Sequence, residues 1–152
     1  RWWTAAFVHL STLHLTANLV GTALVGALGR AAQCDGTAAS AWAVAWPMAH
    51  LALLMQPDLA HYGGLSGVLH AGVAVVAVQL VLQASGRRRA IGIAIAAGLV
   101  AKVVLEAPWG PPVRLSWGWD IPLAPLAHAT GAAAGALCAL VFVAIRRAGA
   151  IA

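Results

Sequence analysis

Four side chains in this 152-residue chain have the types and spacing that acyl transfer requires: Ser66, His128, His14 and Asn18. In the run His9-Leu10-Ser11-Thr12-Leu13-His14-Leu15-Thr16-Ala17-Asn18, His14 and Asn18 stand four apart, so on a helix they share a face and offer donors to one point. Ser66 lies in Tyr62-Gly63-Gly64-Leu65-Ser66-Gly67-Val68-Leu69-His70, with His70 four residues on and on the same face. His128 opens Ala127-His128-Ala129-Thr130-Gly131-Ala132-Ala133-Ala134-Gly135, where Gly131 and Gly135 form a small-residue stripe that can press closely on a neighbouring helix. A serine hydroxyl is a weak nucleophile until an adjacent imidazole takes its proton, and histidine suits that task because its pKa lies near the operating pH. The oxyanion then needs preorganised donors, which the Ser66 backbone N–H and the His14 and Asn18 side chains can supply. These three segments contain no carboxylate to orient His128, so the spacing favours a Ser/His dyad over a triad.

Each residue taken alone has a plainer explanation. Ser66 among glycines reads as a helix-packing serine, His128 as an interfacial or packing histidine, and His14 with Asn18 as interhelical hydrogen-bond glue. Their joint occurrence favours chemistry. The other polar residues read as structural: His9 as a brace for the loop before the first span, His50 beyond Pro47 as a packing or kink residue, and His61 as a solvated loop histidine. Lys102 and Glu106, four apart, read as an intramembrane ion pair. Cys34 and Cys138 lack CxxC or Cys/His ligand spacing, which predicts neither a disulfide framework nor a metal site.

The elements that position these residues must be membrane helices. Hydrophobic residues make up 62% of the chain, and it carries nine Lys or Arg against four Asp or Glu, far below the charge of about 25% in a soluble domain. Apolar runs at about 12–29, 39–56, 66–84, 90–107 and 126–145 are each long enough for a hydrocarbon core about 30 Å thick. The net charge of +5 sits between these runs rather than along a water-facing stripe, which argues against a nucleic-acid partner. If the first span enters from outside, Arg30, Arg87, Arg88, Arg89, Arg146 and Arg147 fall inside, while Arg1 and Arg114 fall outside. Trp2, Trp3, Trp109, Trp117 and Trp119 then form an outer aromatic belt. The N-terminal ends of the first, third and fifth spans share that leaflet, so His14, Asn18, Ser66 and His128 converge there.

Other membrane chemistries fit less well. An intramembrane zinc protease needs His-Glu-x-x-His, and the sole glutamate, Glu106, has no such histidines around it. An aspartyl intramembrane protease needs two facing aspartates inside the membrane, whereas Asp35, Asp58 and Asp120 fall in loops. A soluble-hydrolase elbow would need glycine in place of Val68. A small transporter would carry its polar residues through mid-span, and these stop near the outer ends.

These motifs resemble those of the rhomboid intramembrane serine proteases over essentially the whole chain. His9, His14 and Asn18 resemble the family's His-x4-His-x3-Asn, Gly64-Leu65-Ser66-Gly67 its Gly-x-Ser-Gly, and Ala127-His128 with Gly131 and Gly135 its Ala-His-x2-Gly-x3-Gly. The resemblance implies an all-α polytopic membrane helix bundle, a single domain over 1–152, with Ser66 as nucleophile and His128 as general base. It also implies His14 and Asn18 as oxyanion-side donors, His9 as a structural loop histidine, and neither metal nor cofactor. His70, where many rhomboids carry an aromatic, and the Lys102 to Glu106 pair are similar to the rhombosortase branch. In the family the residue at the His70 position stacks on the catalytic histidine.

Rhombosortases are bacterial inner-membrane enzymes thought to cleave the Gly-Gly, apolar-helix, basic-cluster tails of exported proteins, with the site toward the periplasm. The resemblance therefore implies transmembrane protein substrates, with such tails as one class. A general rhomboid protease and an inactive rhomboid-like protein that binds membrane helices are the alternatives. The family core has six helices and this chain starts eight residues before His9, so five spans are expected here, without the first family helix, in a chain cut from something longer.

Overall fold

In the computed structural model, residues 3–59 and 62–149 are described; Trp2 of the expected aromatic belt and His61 lie outside them. Five α-helices follow a short 3-10 turn at Thr4–Phe7: α1 (Thr12–Ala31), α2 (Gly36–Leu51, continued by a 3-10 turn at Ala52–Met55), α3 (Ser66–Gln83), α4 (Gly86–Leu105) and α5 (Pro125–Gly149). The described residues contain no strand, only an isolated bridge between Arg114 and Leu123. The architecture is the expected all-α helix bundle.

Local chemistry sets the helix ends. Ser11 caps α1 by accepting the His14 backbone N–H at 3.0 Å, and Asp35 caps α2 through the N–H groups of Thr37 and Ala38. Such caps satisfy first-turn donors that have no intrahelical partner. Among the described residues, four helices are long and apolar enough to cross a membrane: α1, α2 with its 3-10 extension, α3 and α5. The expected fourth span, α4, falls short of that composition. It starts at Gly86 rather than near residue 90, so Arg87, Arg88 and Arg89 join its first turn while Lys102 occupies its last.

Helix α3 is the buried centre, packed by α1, α2, α4 and α5. Alanines Ala38, Ala41, Ala45 and Ala49 of α2 meet Ala71 and Val75 of α3 and Ala134, Cys138 and Ala139 of α5. Small side chains allow the close backbone approach on which membrane helices rely for van der Waals packing. The Trp42 indole N–H donates to the Val68 carbonyl at 2.7 Å, tying α2 to α3. At the far end of the bundle from Ser66, Arg146 pairs with Asp35. There too, Arg88 donates to Gln33 and to the Ala32 carbonyl, and Arg147 to the Leu82 carbonyl. Three of the six arginines that the charge pattern grouped together, Arg88, Arg146 and Arg147, thus tie loops and helix ends at one end of the molecule.

The segment between α4 and α5 folds over the opposite end. The Arg114 and Leu123 backbones exchange hydrogen bonds of 2.8 and 2.9 Å, and Ser11 Oγ donates to Asp120 Oδ1 at 2.8 Å. Beneath this segment lies a cavity of about 180 Å³ whose lining includes Leu10, His14, Tyr62, Gly63, Ile121 and Pro122.

Candidate active site

The turn entering α3 is shaped by two glycines. Gly64 has φ +121°, and a side chain there would strike the His14 ring, so only glycine combines this backbone with that approach. Its N–H donates to the Ala5 carbonyl at 2.9 Å, tying the turn to the 3-10 segment. Ser66 follows as the first residue of α3, where backbone N–H groups have no intrahelical acceptor.

His128 reaches Ser66 because α5 lies almost backbone to backbone on α3. A methyl group on Gly67 would meet the Ala127 carbonyl, one on Gly131 the Gly67 carbonyl, and one on Gly135 the Ala71 carbonyl. The His128 Nε2 stands 3.0 Å from Ser66 Oγ, across 62 residues of sequence. His70 stacks on His128 with ring centroids 4.2 Å apart and planes 12° apart. Its Nδ1–H donates to the Ser66 carbonyl at 2.7 Å.

The expectation that no carboxylate reaches His128 does not hold. Glu106, just past the end of α4, has Oε2 2.6 Å from His128 Nδ1 and Oε1 2.6 Å from Lys102 Nζ. The ion pair read from sequence is present, but it uses only one of the two carboxylate oxygens. Since an ionised carboxylate only accepts, Nδ1 carries the proton and donates, leaving Nε2 to accept from the serine hydroxyl. The missing signal lay outside the local pattern: Glu106 is 22 residues from His128, and only the approach of the top of α4 to the top of α5 joins them.

His14 and Asn18 are both buried, beside Gly64. His14 Nδ1 accepts from the Leu10 N–H at 3.4 Å, so its proton sits on Nε2, the atom that faces Gly64. The Asn18 amide nitrogen is buried with no hydrogen-bond partner among the described residues. A buried donor left unpaired is costly, and this one has its hydrogen-bonding capacity free next to Gly64. His9 packs edge-on against His14 at 5.1 Å and contacts the Phe7 carbonyl. His50 is buried, with its ring 5.5 Å from that of Tyr62. Burial pushes the Tyr62 phenol up to about 12, so it stays protonated next to its polar neighbours, the Ser66 hydroxyl and the Gly67 backbone.

His70, Glu106 and His128 each offer a ligand atom within 4.8 Å of the others. The two imidazoles are nearly parallel and stacked, however, so their in-plane lone pairs run in separate planes instead of converging on one ion. The arrangement suits a hydrogen-bond relay better than chelation. Both cysteines are free, Cys138 buried with Sγ 3.5 Å from the Met48 sulfur.

Among known proteins, the sequence model of the family described as Rhomboid domain matches residues 1–145. No curated protein and no solved structure matches the chain.

Proposed function

The chain belongs to the rhomboid family, whose members are in general intramembrane serine proteases, and from that premise we propose that it hydrolyses peptide bonds in or next to a substrate's transmembrane helix, with Ser66 as nucleophile and His128 as general base. The observation that carries this reading is the 3.0 Å contact of His128 Nε2 with Ser66 Oγ. A hydroxyl facing an unprotonated imidazole nitrogen is the activated-nucleophile arrangement.

Ser66 Oγ attacks the scissile carbonyl carbon while its proton passes to His128 Nε2. The oxyanion is met by His14 Nε2–H, the Asn18 amide and the Ser66 backbone N–H; donors fixed in place before the reaction carry no reorganisation cost. Collapse breaks the C–N bond, and His128 returns the proton to the leaving nitrogen. Water then attacks the ester, giving its proton to His128, and the C–Oγ bond breaks with the proton restored to Ser66. The cavity beneath the segment between α4 and α5 gives water a place at the site.

Within the family, the imidazole at His70 and the Lys102–Glu106 pair favour the rhombosortase branch, hence Gly-Gly tailed exported proteins as substrates. The setting that goes with that branch is the bacterial inner membrane with the site toward the periplasm, consistent with the arginines collected at the other end of the bundle. The test is co-expression with a reporter bearing Gly-Gly, an apolar helix and a basic tail, using wild type, Ser66→Ala and His128→Ala. Cleavage by wild type alone supports both levels of the reading. Cleavage only of a generic transmembrane reporter moves the protein to the general rhomboids, and silence on both by well-expressed wild type favours a non-proteolytic binder of membrane helices.

A further inference from the structure

We propose that Glu106 is a positioning residue that turns the Ser66/His128 pair into a three-member relay, held in place by Lys102; this rests on the reading of Ser66 and His128 as nucleophile and base. Glu106 Oε2 lies 2.6 Å from His128 Nδ1, the atom opposite the one that faces Ser66. A carboxylate there does two things. It keeps the proton on Nδ1, so that Nε2 always presents a lone pair to the serine, and it stabilises the imidazolium formed when His128 accepts the serine proton.

Glu106 is itself held at three points, one on its carboxylate and two on the backbone around it. Lys102 Nζ takes Oε1 at 2.6 Å, so the two oxygens point in different directions with one partner each. Arg114 Nη1 donates to the Glu106 backbone carbonyl at 2.9 Å. Ala107 adopts φ +51° and returns its N–H to the Val104 carbonyl, ending α4 at this point. The ammonium on Oε1 also makes Glu106 a poorer proton acceptor, which opposes transfer of the Nδ1 proton to it. His128 is thereby fixed on three faces: by Ser66 at Nε2, by Glu106 at Nδ1, and by the His70 ring against its plane.

This arrangement couples α4 to the chemistry. Apart from this contact α4 packs mainly on α3 and touches α5 little, so the Glu106 hydrogen bond is a polar link between the end of α4 and the helix that carries the base.

The test uses the full chain in proteoliposomes with a cleaved transmembrane substrate, comparing wild type, Ser66→Ala, Glu106→Gln, Glu106→Asp and Lys102→Met. Glu106→Gln should lower kcat on the order of 1,000-fold or more, by analogy of role with the acid of a serine-protease triad. KM should stay within about threefold, since uniform substrate binding is untouched. Glu106→Asp should restore part of kcat, and Lys102→Met should lower it less than Glu106→Gln. In ¹⁵N-histidine spectra the proton of His128 should sit on Nδ1 in wild type and shift toward Nε2 in Glu106→Gln, a change that a merely structural role would not produce. Unchanged kcat and tautomer in Glu106→Gln, with Ser66→Ala inactive, would overturn the role of Glu106 alone. Full activity of Ser66→Ala would overturn the underlying reading as well.

Discussion

Gly131 of α5 faces the Gly67 carbonyl of α3 so closely that a methyl group on it would overlap that oxygen. The obstacle is backbone, which cannot swing aside as a flexible side chain does. Gly131→Ala must therefore push α5 away and carry His128 from Ser66. A misplacement of about 1 Å can cost about 100-fold in rate, so that loss is expected in a cleavage assay, together with a destabilisation of about 1–3 kcal/mol from overpacking. Gly98→Ala, where nothing lies within 4 Å of the added carbon, should leave cleavage near wild type; similar losses in both variants would contradict the contact argument.

His14→Ala and Asn18→Ala should each reduce kcat by about 100- to 1,000-fold with little change in KM, as expected for donors that act on the oxyanion. Steady-state kinetics on one substrate at several concentrations check this. A rise in KM at constant kcat would assign these residues to substrate binding instead.

His70→Phe keeps an aromatic ring beside His128 but removes the 2.7 Å bond to the Ser66 carbonyl. A neutral hydrogen bond is worth about 1 kcal/mol, so kcat should fall only about fivefold. His70→Ala, which also loses the stacked face, should fall further. Equal kcat for the two variants would show that stacking contributes nothing.

Tyr62 is the only tyrosine, so phenolate absorbance in an alkaline titration reports on it alone. The folded protein in detergent should titrate at about 12, against 10.0 for the ordinary phenol. Below 10 the phenol is protonated in both folded and unfolded chains, and its contribution to stability is complete. Between 10 and about 12 the unfolded chain ionises first, so stability should fall as pH rises through that window. A folded protein whose phenol titrates near 10 would mean that the Tyr62 hydroxyl is solvated rather than held beside Ser66.

Where one helix carries its own signal, the placement of the candidate site's residues was legible in the sequence. His14 and Asn18 share a face because they are four apart, and both are buried on α1. Gly131 and Gly135 announce close packing by their spacing, and α3 is the helix they meet. Five helices lie close to where the apolar runs placed them, although charge in the first turn of α4 hid its true start. The second contact of Glu106 was not legible because its spacing to Lys102 already accounts for a carboxylate at the end of an apolar helix. Only tertiary geometry shows that one of its oxygens is directed elsewhere. The same holds for the Ser11 to Asp120 tie, 109 residues apart, which no periodicity encodes.

A fluorophosphonate probe, which needs no knowledge of the substrate, reports whether Ser66 is a nucleophile activated by His128. Purified wild type in detergent is treated with the probe, the adduct is located by peptide mass spectrometry, and Ser66→Ala and His128→Ala are treated in parallel. Ser66 should be phosphonylated in wild type and unlabelled in both variants. Folded wild type that stays unlabelled, or undiminished labelling in His128→Ala, would contradict that activation.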